Sequence, residues 1–430
     1  MATPVNPPRG MRDFLPAEKA RRERVLSVIL DTYRAHGFDE IETPVMEDSA
    51  RLNAGLGGDN EKLAFGVMKR GLTADDLAAS RDPLDLVDLG LRFDLTVPLA
   101  RFYASHRAEL PSVFRSIQLG SVWRAERPQK GRYRQFVQCD IDVIGDASLL
   151  AEAELIVASL RTFAALGMTS VMMRVNDRRI LLGLLQHLGF AAHEHDSVLI
   201  TLDKLDKVGP DGVIAELTAD TASPSAVAAL GAFLHRPQTL EFNPYGERQI
   251  RKALPDDFDS AAVADLIALG ASLEAPLAGE SAGGLPLVFD PFLVRGMGYY
   301  TGAIFEATHP DAGFSLGGGG RYDGMIGRFL GTDVPATGFS IGFERIVDLV
   351  TLAEDAATDA VVLLHDSDTD LARLVALKVE LVAQGKRVRL ERRSKNLKGL
   401  LDQLAASGYH SFAHVGDAAT VAELAFRSLS

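Results

Sequence analysis

Cysteine is nearly absent from this sequence: Cys139 is the only one among 430 residues. A single thiol excludes an intramolecular disulfide framework and a metal site built from several cysteines. Long apolar runs are also missing, since no stretch of about 18 apolar residues is present that could cross a membrane as a helix. The N-terminal MATPVNPPRGMRDFLP lacks the apolar core of a signal peptide. We therefore expect a cytoplasmic protein that does not associate with a membrane.

Familiar catalytic motifs are missing as well. The sequence has no HExxH, CxxC or paired-histidine spacing that would indicate zinc, and no GxSxG elbow that would indicate acyl hydrolysis. The glycine-rich SLGGGGRYDG, Ser315 to Gly324, lacks the Lys-Ser/Thr ending of a phosphate-binding P-loop. It could be a flexible turn, or its glycines beside Tyr322 could form the wall of a close-fitting pocket.

The net charge of −13 disfavours indiscriminate binding of nucleic acids, because the overall field repels phosphate. Cations nevertheless concentrate in VWRAERPQKGRYRQFVQCDIDVIG, where five of the eleven residues from Arg124 to Arg134 are lysine or arginine. Gln138, Asp140 and Asp142 follow in strict alternation with apolar residues. Two alternating segments around a loop with proline and glycine predict an antiparallel hairpin with one apolar face. The other face, which holds cations and carboxylates, could bind a charged ligand or could simply be solvated.

The length of 430 residues predicts two or three domains. The stretch from about 176 to 285 is rich in Ala, Leu and Asp and predicts a helical insertion. After Asp359, strand-like and helix-like segments alternate, which predicts a small α/β unit with a parallel sheet. Earlier in the chain, the alternation from Leu91 to Val97 predicts a half-buried strand.

Two further segments combine an arginine with features that suit a ligand. In LVRGMGYYTG, Arg295 stands beside glycines that would let a ligand approach, although the adjacent Tyr299 and Tyr300 could serve packing alone. In GFSIGFERIVDLV, Arg345 lies in the first turn of a predicted helix, where the helix dipole disfavours a cation. An arginine aimed at a bound polyphosphate would explain that position.

Taken together, these segments resemble a class II aminoacyl-tRNA synthetase and, within that class, the histidyl-tRNA synthetase family. FDEIETPVME resembles motif 1, VWRAERPQKGRYRQF motif 2, and GFSIGFERI motif 3. GRYRQFVQCDIDVIG and LVRGMGYYTG together resemble the histidine enzymes specifically. The resemblance covers essentially the whole chain and implies an α+β fold. That fold has a six-stranded antiparallel catalytic sheet flanked by helices over 1–350, a helical insertion at about 176–285 and a C-terminal α/β anticodon-binding domain over 358–430.

The resemblance implies an enzyme that activates L-histidine with ATP to histidyl-adenylate and transfers it to the 3′ end of tRNA(His). A homodimer is implied too, because motif 1 forms the subunit interface in this family. The motif positions assign Asp94, Thr96 and Gln138 to the α-amino group of histidine. They assign Asp142 to the imidazole, since a carboxylate can accept from a ring N–H. Three tyrosines complete the pocket, with Tyr300 also reading the imidazole: Tyr299, Tyr300 and Tyr322.

The same motif positions assign the arginines to ATP. Arg124 would bind the α-phosphate and Arg345 the γ-phosphate end of a bent ATP. Arg295 would lie between the histidine carboxylate and the α-phosphate, so Arg295 and Arg124 are the expected catalytic residues. Mg²⁺ would neutralise the triphosphate, with Glu126 as a candidate ligand. The loop that would face the acceptor stem of the tRNA contributes Arg127, Gln129, Lys130 and Arg132.

Two other readings fit parts of the pattern. A synthetase-like regulatory subunit of ATP phosphoribosyltransferase would share the catalytic fold, but such proteins usually lack the anticodon domain and part of the ATP or histidine site. A non-catalytic nucleic-acid-binding scaffold would not need Asp94 or Asp142. The chain also departs from many family members, because Gly298 stands where they have an acidic residue and because the C-terminal unit ends early.

Overall fold

The computed structural model describes residues 5–52, 63–128, 131–220, 223–236, 245–278, 285–295, 298–350 and 359–429. The chain divides into two compact units, one made of Met1–Arg12 and Ser27–Val350 and the other of Asp13–Leu26 and Thr351–Ser430. Within the described part of the chain, every helix is too short or too polar to span a bilayer.

The α-helices are, in chain order, α1 (Pro16–Ala35), α2 (Ser49–Leu52), α3 (Ala74–Ala79), α4 (Thr96–His106), α5 (Leu150–Ala165), α6 (Arg178–His187), α7 (His195–Leu202), α8 (Leu205–Asp220), α9 (Pro224–Leu234), α10 (Glu247–Lys252), α11 (Ala261–Leu273), α12 (Asp323–Leu330), α13 (Phe343–Ile346), α14 (Leu371–Ala383) and α15 (Leu397–Ala406). Short 3₁₀ helices cover Pro83–Leu86, Ala192–Glu194 and Val421–Glu423.

The strands are β1 (Asp39–Glu40), β2 (Met46–Asp48), β3 (Phe65–Met68), β4 (Val87–Leu91), β5 (Phe114–Trp123), β6 (Gln135–Ile144), β7 (Met172–Asp177), β8 (Leu287–Phe289), β9 (Ala303–Thr308), β10 (Gly317–Arg321), β11 (Ala336–Gly342), β12 (Ala360–His365), β13 (Arg387–Arg392), β14 (Ser411–His414) and β15 (Arg427–Ser428). The predicted hairpin is present as β5 and β6, which pair antiparallel over their whole lengths.

The main sheet of the first unit has eight strands in the order β1-β5-β6-β11-β10-β9-β7-β8. The six central strands in this order, β5-β6-β11-β10-β9-β7, pair antiparallel with one another. A parallel strand is added at each edge, β1 beside β5 and β8 beside β7. The α+β class is confirmed, but the expectation of a purely antiparallel, six-stranded sheet is wrong. The edge strands have two and three residues, too short to show alternation, and a parallel neighbour is reached only through a long crossover.

The strand predicted from Leu91 to Val97 is also wrong. β4 ends at Leu91 and α4 begins at Thr96. Asp94 stabilises this helix start, since its Oδ1 accepts a hydrogen bond from the Val97 backbone N–H at 3.1 Å. Pro98 in the first turn costs no intrahelical bond, so this aspartate-to-proline spacing is a helix-start signal that outweighs the apparent alternation.

One face of the main sheet belongs to the core. Ile117, Cys139, Ile141 and Ile341 alternate inward and are fully buried, and α5 packs against β6 and β11. The opposite face carries the polar residues of the hairpin. Between β7 and β8 the chain runs through α6–α11, and the described residues there form no strand. A smaller antiparallel sheet, β2-β4-β3, completes the unit.

The second unit contains a four-stranded sheet in the order β13-β12-β14-β15. Its first three strands are parallel and β15 is antiparallel to β14. Alternate residues of β12 enter two apolar clusters, so that Leu363 packs with Leu377 of α14 while Val362 packs with Leu404 of α15. Apolar residues on both faces of the sheet explain why β12 reads as a continuous hydrophobic run.

Candidate active site

The register of the six antiparallel strands aligns polar residues into rows across the open face. One row takes a residue from each strand in turn: Gln118, Asp140, Ser340, Gly318, Glu306 and Arg174. The next row on the same face consists of Ser116, Asp142, Gly338, Gly320, Ile304 and Asn176. Residues from distant parts of the sequence therefore share one surface.

Glycines in these rows make room for the functional side chains. A Cβ on Gly318 would lie 2.4 Å from the Arg295 guanidinium carbon, and one on Gly338 would lie 1.9 Å from Asp142 Oδ1. Both distances are shorter than any tolerable contact. Of the two interpretations of SLGGGG, the structure therefore favours the pocket wall: its last four glycines lie in β10, inside the sheet.

Asp142 and three tyrosines form a buried cluster at one end of this surface. The Tyr322 hydroxyl donates to Asp142 Oδ1 at 2.6 Å. The ring centroid of Tyr299 lies 4.8 Å from that of Tyr300 and 6.1 Å from that of Tyr322. Burial raises the pKa of Asp142 to about 7, although the Tyr322 hydrogen bond opposes that shift.

Asp94 and Gln138 contribute unsatisfied acceptors. Asp94 Oδ2 and Gln138 Oε1 are buried and have no hydrogen-bond partner among the described residues. Burial raises the pKa of Asp94 to about 6, while the Val97 backbone N–H and the charge of Arg124 lower it. Thr96, half-buried at the start of α4, hydrogen-bonds to Tyr299. Buried acceptors without donors are costly unless a ligand supplies the missing donor.

The arginines assigned to ATP share one region. Burial lowers the pKa of Arg345, and the charges of Arg132, Arg295 and Arg124 lower it further. Each of the three assigned arginines is anchored separately: Arg345 Nη1 donates to the Ser315 carbonyl at 2.7 Å, Arg124 Nε to the Phe93 carbonyl at 3.0 Å, and Arg295 Nη1 to Glu306 Oε2 at 2.7 Å. Mutually repelling guanidinium groups that are held together favour a bound polyanion.

Glu306 and Arg174 are site residues that the sequence alone did not reveal. Glu306 bridges two guanidinium groups, since its Oε1 lies 2.9 Å from Arg174 Nη1 while its Oε2 accepts from Arg295. Arg174 Nη1 also lies 2.8 Å from Asp206 Oδ2, in the first turn of α8. Glu306 stands in an ordinary alternating strand, and only its pairing with Gly318 places it below Arg295.

The predicted metal ligand and tRNA loop receive less support. Glu126 Oε2 lies 3.5 Å from Arg132 Nη1, and the described residues contain no group of three acids, histidines or cysteines that could hold a metal. Arg127 and Arg132 are exposed. Gln129 and Lys130 lie outside the described residues. At Gly298 an added Cβ would contact nothing within 4 Å, so the space for the acidic side chain of other family members is open.

Comparison with known proteins gives a consistent family assignment. A family model described as histidyl-tRNA synthetase matches residues 10–346. The chain is 61% identical over 426 residues to the histidine–tRNA ligase of Leifsonia xyli subsp. xyli, covering 96% of each chain. It is 44% identical over 424 residues to a probable histidine–tRNA ligase of Tropheryma whipplei strain Twist, again covering 96% of each.

Solved structures agree on the fold. The histidyl-tRNA synthetase from Nostoc sp. PCC 7120 matches with a TM-score of 0.75 and 25% identity, covering 100% of this chain and 95% of that one. A protein from Bacillus halodurans C, described as an ATP phosphoribosyltransferase regulatory subunit/histidyl-tRNA synthetase, matches with a TM-score of 0.73, 21% identity and coverage of 94% and 97%. At that identity the second match supports the fold alone.

The sheet, with buried acids at one end of its open face and clustered arginines beside them, has the architecture of a class II aminoacyl-tRNA synthetase. Within that class, the family model and the relatives at 61% and 44% identity all point to the enzymes for histidine. The chain belongs to the histidyl-tRNA synthetase family.

Proposed function

We propose that the open face of the main sheet is where this chain activates histidine with ATP before passing it to tRNA(His). Charging of tRNA with histidine is the activity of the family to which the chain belongs, and it requires ATP as a substrate. The observation that carries the proposal is that the buried, unsatisfied acceptors of Asp94 and Gln138 lie beside mutually repelling arginines. An amino acid and ATP together neutralise both sets of charges.

Histidine would occupy the acidic end. Asp94, Thr96 and Gln138 bind the α-amino group, which supplies donors for the buried acceptors of Asp94 and Gln138. Asp142 accepts from the imidazole N–H, and its hydrogen bond with Tyr322 fixes the direction of the carboxylate. Tyr299 and Tyr300 enclose the ring, and this buried aromatic pocket favours a flat, partly polar side chain.

ATP would occupy the arginine end. Arg124 binds the α-phosphate and Arg345 the γ-phosphate. Arg295 lies between the reacting groups, where an oxygen of the histidine carboxylate attacks the α-phosphorus and the bond to the bridging oxygen breaks, releasing pyrophosphate. A hydroxyl of the terminal tRNA ribose then attacks the acyl carbon and AMP leaves. The protein contributes positioning and charge stabilisation and forms no covalent bond.

Mg²⁺ would neutralise the triphosphate of ATP when bound. The described residues form no metal cage, which suits an ion that keeps its waters and is held mainly by the phosphates. Glu126 remains the candidate protein ligand, and it would have to exchange its contact with Arg132 for the metal.

The remaining assignments extend the proposal to partners. The catalytic domain covers 1–350 with the insertion at about 176–285, and the domain at 358–430 binds the anticodon, supported by a basic segment around β13 that includes Arg387, Arg389 and Arg392. The exposed Arg127 and Arg132, with Gln129 and Lys130, contact the acceptor stem.

A homodimer is supported by the exposed Val45, Met46 and Leu89 at the β2-β4-β3 sheet. The protein acts in the cytoplasm, where its substrates are.

ATP–pyrophosphate exchange tests the proposal directly. We expect exchange with histidine and none with the other amino acids, followed by charging of tRNA(His). Absence of exchange in a folded protein that binds and stimulates ATP phosphoribosyltransferase would instead support the regulatory subunit. Full-length similarity to histidine–tRNA ligases disfavours that alternative.

A further inference from the structure

Asp140 is a buried carboxylate that forms no direct ion pair within the described residues, although the charges of Arg92 and Arg124 act on it. Its exposed fraction is 5%, and in the part of the chain that the structure describes no lysine, arginine or histidine forms an ion pair with it. Its hydrogen-bonding neighbours are neutral: Gln138 Nε2 lies 3.5 Å from both carboxylate oxygens, and Ser340 faces it from β11. A buried charge without a partner is strongly destabilising, so such a residue calls for an explanation.

The acids around Asp140 increase that cost. Burial and then the charges of Asp142 and Asp94 raise the pKa of Asp140 well above its ordinary value, while Ser340 and Arg124 lower it. Three buried carboxyl groups therefore act on one small volume. Hydrophobic or amide residues would fold more easily there, whereas a cation from outside would relieve the repulsion.

The register shows where such a cation would lie. Gln138, Asp140 and Asp142 project from the same face of β6 at intervals of about 7 Å. The proposed binding mode places the α-amino group of histidine near Gln138 and its imidazole at Asp142. A molecule that reaches both ends must cross Asp140. In the same row, Ser340 lies beside Asp140 and Gly318 lies beside Ser340. The guanidinium of Arg295, which would contact the histidine carboxylate, lies over Gly318.

We propose that Asp140 is a further histidine-binding residue, which accepts a hydrogen bond from the α-ammonium group and holds that group jointly with Asp94. This inference rests on the proposed function and assigns a specific contact within the same site. It also explains why three buried acids share this volume: the substrate ammonium would add a directly bonded cation to the distant charge of Arg124. A purely structural Asp140, which only orients Gln138 and Ser340, is the competing explanation.

Binding of three ligands to Asp140→Asn separates the two explanations. L-Histidine and histamine carry the ammonium group, whereas 3-(imidazol-4-yl)propionate retains the ring and carboxylate without it. Isothermal titration should show histidine and histamine weakened at least about 10-fold, because a buried charge contact is lost. The propionate should change by less than about twofold. Asp88→Asn, on the exposed part of β4, is the matched control and should leave all three unchanged.

Equal weakening of all three ligands would overturn the inference in favour of a structural role, and unchanged binding of all three would overturn it outright. Should Asp140→Asn fail to fold, Asp140→Ser replaces it. A crystal structure of the wild-type complex with histidine is independent of folding, and an ammonium nitrogen farther than about 4 Å from both Asp140 oxygens refutes the contact. Wild-type protein that neither binds histidine nor catalyses exchange would refute the proposed function itself.

Discussion

Glu306 holds the side chain of Arg295, which we propose lies between the reacting groups of the two substrates. Its carboxylate is shared between Arg295 and Arg174, at 2.7 and 2.9 Å, so one anion fixes two guanidinium groups. Arg295 lies in the field of Arg345 as well. Without the negative charge of Glu306, Arg295 would be repelled by Arg174 and Arg345. Its side chain would then no longer be held in one orientation.

Replacing Glu306 with glutamine should therefore impair the chemical step. We expect kcat for ATP–pyrophosphate exchange to fall about 10- to 100-fold, because small misplacements of a catalytic group have effects of that size. The KM values for histidine and ATP should change much less. Glu109→Gln, which removes an exposed carboxylate elsewhere, is the control. A normal kcat in folded Glu306→Gln would show that Arg295 needs no such support.

Asp142 should make stability depend on pH. Its pKa is about 7 in the folded protein against an ordinary value of 3.8, so between these values the folded state binds more protons than the unfolded state. The free energy of unfolding must then decrease as pH rises through this range. In Asp142→Asn the side chain does not titrate, so this decrease in stability with pH is removed. The amide oxygen of the asparagine can still accept the hydrogen bond from Tyr322.

Urea unfolding at pH 5 and pH 8 measures the effect. Relative to wild type, Asp142→Asn should gain stability between pH 5 and pH 8, by roughly 3 kcal/mol at most. Asp311→Asn, at an exposed carboxylate, should follow the wild-type curve. If the difference between Asp142→Asn and wild type stays constant with pH, the carboxyl group of Asp142 does not titrate in this range.

At the scale of elements, β10 consists almost entirely of glycine, and the missing side chains leave space for neighbouring residues. Glycine weakens a strand because it adds entropy and offers no packing, so four in succession need another reason. The space above Gly318 holds the Arg295 guanidinium, and the space beside Gly338 of β11 holds the Asp142 carboxylate. The composition of these strands is explained by the side chains of other segments.

Gly318→Ala should therefore displace Arg295 without unfolding the sheet, because the obstructing atoms belong to the end of a flexible side chain. We expect a loss of about 10- to 100-fold in exchange activity, as for other misplaced catalytic groups, with a nearly unchanged melting temperature. Gly324→Ala provides the control, since its added Cβ meets nothing within 4 Å. Full activity in Gly318→Ala would mean that Arg295 works equally well elsewhere.

The elements also differ in how far sequence predicts them. The β5–β6 hairpin was predicted with its polar face because alternation and an intervening loop with proline and glycine are local signals. The start of α4 was misread because a short alternating run looks the same in a strand and in an approach to a helix. The parallel pairing of the edge strands β1 and β8 was not predicted, because strands of two and three residues carry no pattern that specifies their neighbours.

For the whole molecule, the exposed apolar residues of the first unit bear on assembly. Val45 and Leu89 are 43% and 39% exposed at the small sheet, where water contact with apolar side chains is unfavourable unless a partner covers them. The homodimer predicted from motif 1 would provide that partner.

Val45→Asp with Leu89→Asp should shift the protein from dimer to monomer in sedimentation velocity, because a charge at an apolar interface disfavours association while remaining solvated in the monomer. Ile200→Asp, at an exposed position of α7, is the control and should leave the sedimentation coefficient unchanged. A wild-type protein that sediments as a monomer would contradict the homodimer itself.

The sequence by itself determined which residues of the hairpin share its polar face, since the two-residue period of a strand assigns each side chain to a face whatever the partners are. The resemblance to a family is the basis on which we propose Asp94, Asp142 and the three arginines as site residues. Only the tertiary structure decided that Glu306 holds Arg295, that glycines make room for Arg295 and Asp142, and that Asp140 forms no ion pair within the described residues. Those facts depend on the register between strands far apart in sequence, which is settled by packing and close contact across the sheet and leaves no local pattern.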